Sequence, residues 1–220
     1  MAAWALGRMG DHEALPALRS ALDSPYLSIR AHSARAIGAL RVHDLAPLLR
    51  ERLADENDKG LQMAYASALG NLHDQEATGL LLTLLENTAN DKARLELALA
   101  LARLVGREHS YIQLVRGGRE DLGTTVAQVL TNFKRKLERT AKPTGETETL
   151  MDCIQAFAHH DRVTGIMQLT QVLRALAPEH FHPTSQQILR ACAAALETYG
   201  EQHLEYLYLA LHILQTDWQS

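Results

Sequence analysis

Histidine beside a carboxylate is the pairing best suited to hold a metal or move a proton, and the 220-residue chain contains 11 histidines. His12-Glu13 and His43-Asp44 stand 31 residues apart, and His73-Asp74 lies two positions from the next equivalent place, Gln75-Glu76. A second set is His159-His160-Asp161 and His180-Phe181-His182. Two or three imidazoles with a carboxylate can take Zn or Fe. The helix expected between these clusters, over 162–177, is about 24 Å long at 1.5 Å per residue. Clusters at its opposite ends share no metal unless another element bends back. The expectation is therefore no metal, with His159, His160, His180 and His182 as the candidates if one binds. The alternative role for these residues is the ordinary one of helix ends and solvated loops.

Other reactive residue types are sparse. Cys153 and Cys192 form no CxxC pair and sit among apolar neighbours, Met151 and Ile154 for one, Ala191 and Ala193 for the other. A nucleophilic cysteine needs a base and an electropositive setting, so both read as buried thiols of a reducing compartment, which points to the cytoplasm. No phosphate loop, dinucleotide fingerprint or serine triad motif is present, and no cofactor is expected. Lys134-Arg135-Lys136 is the one basic run, open either to an anionic partner or to a solvated helix end that favours cations. Arg19 and Arg50 recur 31 residues apart with Arg52 close by. Arginines aligned on one face can read acidic side chains bidentately.

What must position these residues is a repeat. Trp4-Ala5-Leu6-Gly7, Ala36-Ile37-Gly38, Ala68-Leu69-Gly70 and Ala100-Leu101-Ala102 recur every 31 or 32 residues, the spacing of a repeat array. Apolar residues at i, i+3, i+4 and i+7 give one buried stripe per helix, and no period-2 run suggests a strand. Each unit reads as two helices. The glycine falls late in the first, where it costs about 1 kcal/mol against alanine, so a neighbouring helix is expected to approach closely there. Pro16 and Pro47 fall in the first turn of the second helix, where proline loses no intrahelical bond. Asp23-Ser24-Pro25, Asp55-Glu56-Asn57-Asp58 and Asn87-Thr88-Ala89-Asn90-Asp91 supply turns and caps between units.

The run WALGRMGDHEALPALRSALDSP, and the pattern to about residue 117, resembles the HEAT-like repeats named after phycobilisome lyases. That superfamily includes bilin lyase subunits, assembly factors, scaffolds and a di-iron hydroxylase. The hydroxylase places its His-Glu ligands inside the first helix, whereas His12-Glu13 and His43-Asp44 fall in the turn after the glycine. A weaker resemblance joins Leu95 to about Lys134 with the soluble tail of bacterial transporters of the major facilitator class.

The expected architecture is all-α: a HEAT-like superhelix of about four helix pairs over 1–117, a connecting helix over 118–140 after a break at Gly117-Gly118, a loop or linker over 141–149, and a diverged helical region over 150–220. Helices are expected near 13–22, 26–40, 44–54, 59–72, 76–87 and 91–105, then near 146–159, 162–177, 184–199 and 201–216. Met1 opens inside a repeat, which suggests the C-terminal piece of a longer protein. The net charge of −4 is evenly spread, twelve cations against fourteen carboxylates in residues 1–110 and ten against twelve in 111–220, which argues against a nucleic-acid binder. The function expected is a non-catalytic scaffold or adaptor that binds another protein through a groove with Arg19, Arg50, Arg52 and Tyr65 as anchors. The alternatives are a regulatory transporter tail, held to a membrane through a preceding part, and a bilin-lyase-like or metal-dependent subunit. Oligomeric state is open.

Overall fold

The computed structural model describes residues 15–140, 145–176 and 178–218. All regular structure among them is helical. The chain divides into two compact units, Met1–Leu104 and Val105–Ser220. The first set of the repeat, Trp4 to Gly7, and the pair His12-Glu13 lie outside the described residues.

In the first unit the helices are α1 (Leu15–Ala21), α2 (Leu27–Ala39), α3 (Ala46–Asp55), α4 (Lys59–Asn71), α5 (Thr78–Glu86) and α6 (Asp91–Val105). Short 3-10 turns at His43–Leu45 and Gln75–Ala77 lead into α3 and α5, and Pro47 sits in the first turn of α3 as its missing N–H allows. Leu22, Ile37, Leu49, Leu69, Leu81 and Leu101 are fully buried. The glycines do what their position suggested. A Cβ at Gly38 would stand 2.7 Å from Ala68 Cα, and one at Gly70 would stand 2.9 Å from Ala100 Cα. Equivalent helices of successive repeats thus touch backbone to backbone.

Helices α2 and α4 end the same way. The Val42 N–H donates to Ile37 O at 3.2 Å and the Asp74 N–H to Leu69 O at 3.1 Å, six-to-one bonds that require a left-handed residue one position earlier. Arg41 (φ 55°) and His73 (φ 51°) fill that place, at a conformational cost that glycine would not carry. The starts differ. Asp58 accepts from the Leu61 N–H at 2.8 Å and Asn90 from the Ala93 N–H at 2.9 Å, whereas α2 begins at Tyr26 with no side-chain cap.

The second unit contains α7 (Glu108–Thr140), α8 (Gly145–Ala158), α9 (Arg162–Ala175), α10 (Pro183–Tyr199) and α11 (Leu204–Thr216). Two expectations are corrected here. Gly117-Gly118 does not break the chain: both lie inside α7, where a side chain at Gly118 would collide with the Tyr208 ring. The interruption comes at Asp121 (φ −153°, ψ 100°), whose carboxylate accepts from the Thr124 N–H at 3.1 Å and its hydroxyl at 2.6 Å. These bonds hold the Asp121 carboxyl below its usual range. An aspartate N-cap, not glycine flexibility, thus starts the second half of α7. Of the loop expected over 141–149, residues 145–149 are helical, since α8 starts at Gly145, close to the start expected near 146. Glu148 favours the positive end of that helix. Close approach recurs: a Cβ at Gly123 would meet Phe157 O at 2.6 Å, and one at Gly165 the Phe157 ring at 2.8 Å.

Candidate binding surface

The groove residues separate into different roles. Arg50 Nη1 lies 2.6 Å from Asp74 Oδ1 and Nη2 2.6 Å from Glu76 Oε2. These carboxylates belong to the turn between α4 and α5, so Arg50 clamps α3 to the next repeat. Arg52 pairs with Asp23 of the preceding turn and also donates to Leu22 O at 3.4 Å. The Asp23 contact raises the Arg52 guanidinium above its ordinary value. Arg19 is exposed on α1 and engages no carboxylate among the described residues.

Tyr65 is not a surface anchor, and that expectation is corrected. Its side chain is 0% exposed, and its hydroxyl has no hydrogen-bond partner among the described residues. Burial pushes the phenol above its usual value, against the nearby Arg30 and Arg52 cations that pull it down. The repeat explains the burial. Ser33, Tyr65 and Leu97 occupy one position at 32-residue spacing, and all are fully buried.

A further recurring position, 30, 62 and 94, is structural and escaped the sequence reading although the spacing was visible. Gln62 Nε2 donates to Glu56 O at 2.6 Å, and Arg94 Nη1 donates to Leu85 O and Thr88 O at 2.9 Å each. Arg30 Nη1 stands 3.6 Å from Glu56 Oε2. Helix C-termini leave carbonyls without intrahelical donors, and Gln62 and Arg94 supply them in the loop before their helix, Arg94 while 4% exposed; Arg30 instead reaches a carboxylate of the loop after the next helix. The ring Nδ1 of His73 also meets Arg103 O at 2.5 Å. Because a carbonyl only accepts, that nitrogen carries the proton.

The basic run does not form a patch. Consecutive residues on a helix point about 100° apart. Lys134 pairs with Glu138, Arg135 donates to Asn132 Oδ1 at 3.3 Å, and Lys136 donates to Gln215 O at 2.8 Å. The histidines are also dispersed. His159 is exposed on a turn. His160 (φ 59°) ends α8 with its ring beside Gly123. His180 stacks on Trp218 with centroids 4.3 Å apart. His182 caps α10, its Nδ1 accepting from the Thr184 N–H at 3.4 Å. Among the described residues no three His, Cys, Asp or Glu side chains converge on a point where a metal could sit. Cys153 donates to Gly165 O at 3.3 Å, and burial pushes its thiol up to about 12; burial also raises the Cys192 thiol.

With helix pairs, glycine contacts and cross-repeat clamps in place, the class is a HEAT-like α-repeat protein. The family model described as HEAT repeats matches residues 1–70, and the chain carries repeats of that kind over this stretch. No curated protein and no solved structure matches the chain. HEAT repeats generally mediate protein–protein interactions. Among the described residues no helix is long and apolar enough to cross a membrane.

Proposed function

We propose that the repeat array is a non-catalytic scaffold that binds another protein on the face carrying the second helices α1, α3 and α5. The observation that supports this most is the division of labour among its arginines. Arg50 and Arg52 spend their bidentate capacity on carboxylates of adjacent turns, and so fix one repeat relative to the next. Arg19, in the position equivalent to Arg50, engages no carboxylate among the described residues and is exposed. An array with an exposed guanidinium in register suits recognition of an acidic group on a partner. Affinity would come from shape and a few anchors, not from one chemical centre.

Affinity capture from lysate of the source cells tests this, with the wild-type chain and its Arg19→Glu variant as baits at matched folding. A protein retained by the wild type and lost by Arg19→Glu is the expected result. Identical captured sets for both baits would overturn the assignment of the face.

A further inference from the structure

The second unit carries a groove between α9 and α10 that the repeat-array reading does not use. Toward the start of α9 it is a cavity of about 330 Å³. Val163 and Met167, one turn apart, stand at its mouth with 72% and 57% exposure. Ile166 and Leu196, both buried, form the floor. Toward the other end is a second cavity of about 370 Å³, lined by Leu189, Ala193, Arg174 and Arg190 among others. Arg174 lines both cavities and is paired with Glu197 across the helices, Nη1 to Oε1 at 3.1 Å. The groove is therefore continuous in its lining, bridged at the middle by one ion pair.

Single exposed apolar residues are ordinary. Here two of them share one helical face, at the mouth of a cavity with an apolar floor. Small residues on α10, Ala193 and Ala194, line the second cavity. The charges differ between the ends. Glu197 and Glu201 line the first cavity, and each faces an arginine, Arg174 for one and Arg162 at 3.8 Å for the other. Among the described residues the second cavity has no carboxylate in its lining, and Arg190 there is exposed without an ionic partner. From Val163 to Arg174 is eleven residues, about 16 Å along the helix.

We propose that this groove docks an amphipathic helix of a partner protein, with apolar side chains seated on Val163 and Met167 and a carboxylate about three turns away meeting Arg190. Helix-in-groove recognition works through anchors at helical spacing, and the unpaired cation sets the orientation and the preference for an acidic end. A second copy of the chain fits less well, because the groove's own carboxylates are already engaged by Arg174 and Arg162 and bring no free acid to Arg190.

The test uses the full chain and two labelled helical peptides of about sixteen residues. One carries leucines at one end and glutamates three turns on; its twin has lysines in place of the glutamates. The glutamate peptide is expected to bind at least tenfold more tightly. Arg190→Glu should reverse that order, and Met167→Glu should weaken both peptides tenfold or more. Both side chains are exposed, so melting curves should stay unchanged, and a shift of the Met167 methyl resonance on titration locates the contact. Equal binding of the two peptides, or insensitivity to either variant, overturns the proposal. So does self-association of the chain that Met167→Glu abolishes in sedimentation while neither peptide binds.

Discussion

Replacing Gly38 with alanine should destabilise the chain, although alanine is the better helix former. The added methyl would stand 2.7 Å from Ala68 Cα, 3.1 Å from its Cβ and 3.1 Å from its carbonyl oxygen. Carbon atoms pack best about 3.5–4.0 Å apart, so roughly 1 Å must be found between α2 and α4. Two of the three obstacles are backbone, which has no rotamer to change. Overpacking of this kind costs about 1–3 kcal/mol, and the gain in helix propensity returns about 1 kcal/mol. A net loss of up to about 2 kcal/mol follows, which lowers Tm by up to roughly 8 °C at about 2–4 °C per kcal/mol in a chain of this size. Gly60→Ala is the control, since a Cβ there meets only Asp58 Oδ1 at 3.3 Å. It should leave stability unchanged or raise it by up to about 1 kcal/mol. Thermal melts followed by circular dichroism at 222 nm compare the two directly, with Gly70→Ala expected to behave as Gly38→Ala. The close-approach argument is refuted if Gly38→Ala melts at or above the temperature of Gly60→Ala.

Arg41→Gly should stabilise by about 0.5–1 kcal/mol, because it removes a left-handed residue with a Cβ and loses no hydrogen bond; His73→Gly should show little net gain in the same melts, since it forfeits the ring bond to Arg103 O. Tyr65→Phe should be neutral or raise stability by about 1 kcal/mol, because the buried hydroxyl has no partner among the described residues; a loss above that in urea unfolding would mean that the hydroxyl is satisfied in solution. Iodoacetamide at pH 8 should leave Cys153 and Cys192 unmodified in the folded chain and alkylate both in denaturant, as mass spectrometry would show. The Asp121 carboxyl is held below its unfolded value, so the stability it adds is present above that unfolded value and is lost as pH falls through the folded one. Asp121→Asn should flatten that acid limb of the pH–stability curve.

The period of 31 to 32 residues determined most of the fold, because a helix pair that cannot bury its own stripe must stack on a copy of itself. Repeated register also located the glycine contacts, and it could have placed position 65 in the core instead of the groove, since Ser33, Tyr65 and Leu97 align. The same register marks positions 30, 62 and 94, where local spacing alone could have found the loop-satisfying donors. Other features needed the tertiary structure. Gly117-Gly118 looks like a break along the chain, and only the Tyr208 ring from a helix some ninety residues on shows why glycine is required inside α7. Arg19 and Arg50 are equivalent by sequence, yet only the folded turn brings Asp74 and Glu76 within 2.6 Å of Arg50, while Arg19 engages no carboxylate among the described residues. The physical reason is range. Helix period, caps and repeat spacing are set by residues within a few turns of one another, whereas the pairing of a charge and the filling of a groove depend on which distant surfaces the packed helices bring together.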